Sequence, residues 1–220
     1  MNDKLKKAYF IILGILIILF FNKEDSEDKF YKNIKFVKNP DDLLVLVNKN
    51  NQLKSNFIPN NLESISLRFA NADKYLKKEA KEQFEKLSLD AYNLGYRIVA
   101  VSAYRDYNYQ YELFNYYVKE KGLEYALSCS AKAGHSEHQT GLAVDVEGSN
   151  KDYDNFENSK EFIWMKDNAY KYGFILRYPK GKEHITGFKY EPWHYRYVGI
   201  DVAKYIYENN LTLEEYIEKK

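Results

Sequence analysis

The chain is expected to fold as an α+β domain, a small antiparallel sheet with flanking helices. Three observations predict it. Short, β-branched runs such as Tyr96 to Ser102 are too brief for helices and suit core strands. Longer stretches place apolar residues at three- and four-residue spacing, and they do not alternate with the runs as a doubly wound parallel sheet requires. The third is size: 220 residues at 45% hydrophobic content can bury one full core and not two.

The elements follow in order. Lys4, Lys6 and Lys7 precede Ala8 to Phe21, an uncharged apolar run of about 14 residues, or roughly 21 Å as a helix at 1.5 Å per residue. That is short for a ~30 Å hydrocarbon core, but Asn22 and snorkelling lysine stems extend it. No small-residue cleavage site follows, so residues 1–22 read as an uncleaved signal anchor, a single transmembrane helix. With its lysines inside, the rest of the chain lies outside the membrane, making it a single-pass protein of the cell membrane. Residues 23–40 are a polar linker and residues 41–220 the globular domain. Within it, Asp41 to Val47 begins as a strand-like run. Leu76, Ala80, Phe84, Leu87, Ala91 and Leu94 mark an amphipathic helix over 73–94, stopped by Gly95. Tyr96 to Ser102 is a strand, and Tyr107 to Lys121 a helix closed by Gly122. Gly141 to Val146 is a strand, Ser159 to Tyr172 a helix closed by Gly173, and Phe174 to Arg177 a further strand. Trp193 to Val198 is the last strand, with His194 and Arg196 on one face by its period of two. Asp201 to Asn209 is helical, and Thr212 with Glu215 forms a capping-box pattern at the start of a final helix.

Composition excludes several functions. The formal net charge is +1, from 33 basic and 32 acidic side chains without long blocks beyond the N-terminus, so nothing calls for nucleic acid. Cys129 is the only cysteine, too few for an internal disulfide or a thiolate metal site. The chemistry concentrates in two segments: Ser136 to Asp145, and Glu191 to Arg196. Together they offer His138, Asp145 and His194, and two imidazoles with a carboxylate are a common ligand set for a catalytic zinc with an open position. Glu191, three residues before His194, is the spare carboxylate. In an α+β layout the metal sits in a groove or at the edge of the sheet.

These same residues carry a resemblance. Ser136-x-His138-x-x-Gly141-x-Ala143-x-Asp145 followed by Glu191-x-Trp193-His194 resembles the signature of the VanY-type zinc D,D-carboxypeptidases of peptidase family M15, relatives of the VanX dipeptidases and of L,D-carboxypeptidases. Leu46 to Lys49 with Ile58-Pro59, Ser102 to Arg105, Gln110, Ile185 to Gly187 and Tyr197 to Gly199 are similar too, so the likeness runs from about Leu44 onward. It implies a Hedgehog/D,D-peptidase-like fold, Zn2+ as cofactor, and a peptidoglycan stem peptide ending in D-Ala-D-Ala as substrate, with the domain facing the cell wall. It implies His138, Asp145 and His194 as zinc ligands, Glu191 as general base, Arg105 as the group on the polarised peptide oxygen, Gln110 and Ser136 near the substrate, and Trp193 as a pocket wall. Two departures, Lys132-Ala133 where Arg-Pro is usual and Leu127 where an acidic residue is frequent, bear on the approach to the site rather than on its metal shell. L,D-cleavage of a tetrapeptide, endopeptidase action and a non-catalytic wall-binding domain are the alternatives.

Structural roles compete at several positions. His135 is a rival to His138, His184 reads as an exposed loop residue, and Arg196 as an ion-pair partner. Asp106 reads as a helix cap and Glu147 as a surface or hydrogen-bonding group. Ser136 could cap a turn. A Ser136, His138 and Asp145 triad is disfavoured, since residues so close in sequence rarely reach relay geometry and Glu191 and His194 would go unused.

Overall fold

A computed structural model of the protein describes residues 31–152 and 155–219. The expected anchor over 1–22 and the start of the linker lie outside the described residues. Among the described residues no helix is long and apolar enough to cross a membrane.

The chain opens with β1 (Lys35–Phe36), which pairs in parallel with β2 (Asn51–Gln52), and β3 (Leu62–Ser64) pairs antiparallel with β4 (Tyr75–Lys77). Packed structure therefore begins before the expected boundary at 41, because Tyr31 is already buried against Phe114, Ala126 and Leu127. Next come α1 (Lys78–Asn93), β5 (Val99–Ser102), α2 (Tyr107–Lys121), α3 (Leu123–Cys129), β6 (Ala143–Glu147), α4 (Lys160–Asn168), β7 (Phe174–Leu176) and α5 (Glu183–Thr186). The last described elements are β8 (His194–Tyr197), α6 (Ile200–Glu208) and α7 (Leu213–Glu218). Four strands form the main sheet in the order β5-β6-β8-β7, with every pair antiparallel. The α+β expectation is met in this mixed architecture of small sheets and flanking helices.

The principal core lies between α1 and the sheet. Ala80, Phe84, Leu87 and Ala91 of α1 pack with Leu142, Val144 and Val146 around β6 and with Phe174, Tyr195 and Tyr197 from β7 and β8. Tyr195 and Tyr197 alternate with His194 and Arg196, so β8 gives one face to the apolar core and the other to polar chemistry.

Two sequence expectations fail here. Asp41 to Val47 is not a strand. Val45 and Val47 are buried as a strand's would be, but the carbonyls of Leu43 and Val45 accept hydrogen bonds from Arg196 Nη2, both at 2.9 Å, instead of from a neighbouring strand. The helix expected from Asp73 starts at Lys78, because Leu76 faces Glu63 within the β3–β4 pair. Its inward side chain satisfied the helical spacing without being helical. The helix over Tyr107–Lys121, its Gly122 stop and its Asp106 cap are as expected, the Asp106 carboxylate accepting from Tyr109 N at 2.7 Å. The capping box of Thr212 and Glu215 is formed.

Candidate active site

Three elements bring the site together. A 3-10 turn over Glu137–Thr140 presents His138, β6 presents Asp145, and β8 presents His194. Asp145 and His194 are direct cross-strand partners, so sheet register alone sets them side by side. Ser136 caps the 3-10 turn, its hydroxyl accepting from His138 N at 3.4 Å. The turn ends at Gly141, whose φ of +69° favours glycine and where a Cβ would lie 2.8 Å from Leu62 Cδ2. Its carbonyl accepts from Lys77 N at 2.8 Å, tying the turn to β4. A register shift in β5 opposite Asp145 leaves the Ala103 carbonyl free to reach His138.

The donor geometry is convergent. His138 Nε2 lies 3.2 Å from Asp145 Oδ2, and His194 Nδ1 lies 2.8 Å from Asp145 Oδ1. One ligand atom from each of the three residues falls within 4.8 Å of the others, and all three side chains are buried. Each ring turns its other nitrogen to an oxygen: His138 Nδ1 to the Ala103 carbonyl at 2.6 Å, and His194 Nε2 to Glu137 Oε2 at 3.8 Å. Nitrogen and carboxylate donors, with His138 held from behind by a hydrogen bond and no thiolate among them, suit a borderline dication such as zinc.

Charge among these groups is distributed accordingly. Burial, reinforced by the Arg105 guanidinium, pushes His138 down to about 4. Burial also opposes a charge on His194, but the Asp145 and Glu137 carboxylates outweigh it and carry the ring up to about 9. Glu191, with Oε2 3.9 Å from His194 Nδ1, is pushed up to about 7 by burial, and the Asp145 charge adds to that. A carboxylate titrating near neutrality is suited to accepting and returning a proton.

A cavity of about 120 Å³ opens over these groups, lined also by Arg105, Ser136, Trp193, Tyr178, Phe188 and Lys189. Arg105 Nε is buried there without a hydrogen-bond partner. Gln110 does not line this cavity. It is buried behind the wall, with Nε2 donating to the Ala131 carbonyl at 2.8 Å and to Ser130 Oγ at 3.3 Å. His135 packs edge-on to Tyr31 and bonds through Nδ1 with the Asn48 carbonyl at 2.9 Å, while His184 is exposed. Glu147 pairs loosely with Arg97 at 3.7 Å. Ser136 Oγ faces the backbone of His138 and not its ring, which removes the triad alternative.

Two groups were missed from sequence. Glu137, between Ser136 and His138, is a wholly buried carboxylate whose Oε1 accepts from Arg177 Nε and from Arg196 Nη1, each at 2.8 Å. Those guanidiniums hold it far below the usual carboxylate range even though burial works the other way. Lys189, on the exposed rim of the cavity with its ammonium over the Tyr125 ring, is the second. No local pattern marks either residue, since the arginines lie 40 and 59 residues from Glu137.

Comparison with known proteins gives consistent likenesses over most of the chain. The VanY D-alanyl-D-alanine carboxypeptidase family matches residues 73–200. YodJ of Bacillus subtilis (strain 168), named as a carboxypeptidase, is 42% identical over 90% of this chain and 78% of its own. The bifunctional D-Ala-D-Ala dipeptidase and carboxypeptidase VanXYC of Enterococcus gallinarum is 42% identical over 79% of this chain and 92% of its own. Among solved structures, the LdcB LD-carboxypeptidase superposes with a TM-score of 0.79 at 42% identity, covering 86% of this chain and 91% of that one. VanYB in complex with D-alanine-D-alanine gives 0.69 at 33%, covering 80% and 98%. A mutant form of the VanY D,D-pentapeptidase from the VanB-type resistance cassette, in complex with Zn(II), gives 0.68 at 33%, covering 79% and 98%. Motif, register and likeness converge, and the chain belongs to the VanY family of D-alanyl-D-alanine carboxypeptidases.

Proposed function

We propose that this protein is a zinc-dependent D,D-carboxypeptidase that removes the terminal D-alanine from peptidoglycan stem peptides ending in D-Ala-D-Ala. The observation that carries this reading is the meeting, in one small cavity, of the His138, Asp145 and His194 donors with Glu191 and Arg105. Relatives solved with Zn(II) and with D-alanine-D-alanine, both the VanY of a VanB-type cassette, support the metal and the substrate class. When bound, the zinc supplies Lewis acidity and lowers the pKa of a water from 15.7 to roughly 7.

The chain's own groups do the rest. Glu191 takes a proton from the attacking water as its oxygen bonds to the scissile carbonyl carbon, and returns that proton to the nitrogen as the C–N bond breaks. Arg105, permanently charged, stabilises the negative charge that develops on the carbonyl oxygen. Lys189 at the rim is the cation for the terminal carboxylate of the substrate. The cavity, well below the several hundred Å³ of a typical ligand site, suits one small terminal residue. Trp193 is its wall, Ser136 shapes its floor through the turn, and Gln110 fixes the Ser130–Ala131 wall from behind. The same reading tethers the domain outside the membrane through Ala8 to Phe21, supported by the lysines before that run.

One observation favours a second reading. The likeness to the LD-carboxypeptidase LdcB, 42% identity against 33% for VanYB, supports L,D-cleavage of tetrapeptide stems by the same groups. Mass analysis of defined pentapeptide and tetrapeptide stems, incubated with the zinc-loaded domain and with a chelator control, separates the two. Chelator-sensitive loss of one alanine from the pentapeptide is expected. Loss from the tetrapeptide alone would move the assignment to L,D-cleavage, and cleavage of neither would sink the carboxypeptidase reading.

A further inference from the structure

We propose that Glu137 is a positioning residue for the metal site, accepting the Nε2 proton of His194 and so fixing the tautomer whose Nδ1 faces the metal. This rests on the metal-site reading above but not on which stem peptide is cut.

The argument begins with the two histidines, which present different nitrogens. His138 gives Nε2 to the Asp145 side, and its Nδ1 is held by the Ala103 carbonyl at 2.6 Å. His194 turns Nδ1 toward Asp145 and Glu191, at 2.8 and 3.9 Å, so its Nε2 points away from those carboxylates. A neutral imidazole carries one proton, and a ligating nitrogen must be the one without it. His194 can therefore ligate through Nδ1 only while its proton sits on Nε2, and a buried N–H there needs an acceptor.

Glu137 is the carboxylate in place. His194 Nε2 and Glu137 Oε2 are both buried without a hydrogen-bond partner, and they face each other across 3.8 Å. A closure of less than an ångström would pair them. The other oxygen of Glu137 is fixed by Arg177 and Arg196, each 2.8 Å away and fully buried, so the carboxylate cannot turn aside. Arg177 is in turn gripped by both oxygens of Glu214, at 2.9 and 2.7 Å, and Arg196 by the Leu43 and Val45 carbonyls. Two arginines and two glutamates thus balance in charge and hold one oxygen rigidly behind the histidine. A network needed only for packing would not leave its one unsatisfied carboxylate oxygen aimed at a ligand's distal nitrogen, since buried ion pairs add little stability over apolar replacements. Outer-shell carboxylates of this kind typically contribute 10- to 100-fold to metal affinity.

Glu137→Gln tests the proposal. The amide can offer its oxygen to the arginines or to His194, but not to both, and with its oxygen toward the arginines its NH2 opposes an Nε2 proton. Glu214→Gln is the control, since it disturbs the same buried network without touching His194. Zinc dissociation constants measured by competition with a chromophoric chelator should weaken roughly 10- to 100-fold in E137Q and stay within about threefold in E214Q. Zinc affinity of E137Q within about threefold of wild type, or an equal loss in both variants, would overturn it. Should E137Q fail to fold, long-range 1H–15N correlation on the zinc-loaded wild-type protein decides. A His194 Nε2 proton that is shifted downfield and protected from solvent exchange, as a hydrogen bond to the Glu137 carboxylate requires, supports the proposal; a proton on Nδ1, or an Nε2 proton without that shift, refutes it. If the wild-type chain binds no zinc, the metal reading itself falls and takes this inference with it.

Discussion

Glu191 and Glu137 are both buried carboxylates within 4 Å of His194, yet their surroundings give them opposite characters. Burial pushes Glu191 up to about 7 against the opposing charges of His194, Arg105 and Lys189, with no guanidinium bonded to it, whereas Glu137 is clamped by two guanidiniums and stays charged. Only the first can exchange a proton near neutrality. Glu191→Gln should accordingly lower kcat by about 10² to 10⁴ while zinc content, measured on the same sample, is retained. Near-normal turnover would remove Glu191 from the mechanism. Lys189→Met should raise KM about tenfold with a smaller change in kcat, since the charge on the terminal carboxylate it binds does not change during the reaction and is held alike in ground and transition states. Lys49 offers a pH test away from the site. Its ammonium is buried, donating to the Leu127 carbonyl at 2.7 Å, and burial depresses it to about 8. Below pH 8 both folded and unfolded chains are protonated and the penalty is complete. Between about 8 and 10.4 the unfolded chain holds more protons, so stability rises with pH by up to about 3 kcal/mol. Urea midpoints should show this rise in wild type and lose it in Lys49→Met; parallel profiles would contradict it. At this scale the gathering of His138, Asp145 and His194 beside Glu191 was legible because their residue types and spacing are chemically specific. Glu137 was not, because a glutamate reads as a solvated charge until the fold delivers two arginines to it.

Elements were legible where local chemistry decided them. Asp106, Gly122 and the Thr212 capping box each satisfy backbone groups within a few residues, so pattern and structure agree. The disagreements arise where tertiary partners decide. The run around Val45 has strand-like burial, but its carbonyls are claimed by Arg196 from β8, an interaction no window of sequence contains. Leu76 kept helical spacing while belonging to β4. The turn that carries His138 is the element whose geometry matters most to the site, and Gly141 is its pivot. Gly141→Ala would place a methyl at positive φ and 2.8 Å from Leu62 Cδ2. It should cost about 1 to 3 kcal/mol, read as a lowered denaturant midpoint, with zinc affinity falling too because His138 and Asp145 lie on either side of the pivot. An unchanged midpoint would mean that the turn relaxes without strain.

For the molecule as a whole, the site is a fastening between a turn and the two central strands of the sheet, and metal should stabilise the fold. At a thousandfold excess of zinc over its dissociation constant, the gain is about 4 kcal/mol, and chelation should lower the melting temperature accordingly. A melting curve indifferent to chelator would show that the donors do not depend on an ion to stay together. The same long-range construction has a consequence for biosynthesis. Glu137 needs Arg177, which lies 40 residues later, and Arg177 needs Glu214, another 37 residues on. A ribosome adding 5 to 20 residues per second takes roughly 4 to 15 s to cover that stretch. Until β8 and Arg196 have been added, within that interval, the growing polypeptide carries a strand, β6, whose β8 edge is unmatched, and a carboxylate without its full set of counter-ions. Newly made molecules are thus most prone to aggregate while translation is still in progress, and they become competent to capture metal only after β8 has been added. A slowing of translation between Glu147 and His194 should therefore reduce the yield of folded protein more than the same slowing placed before Glu137.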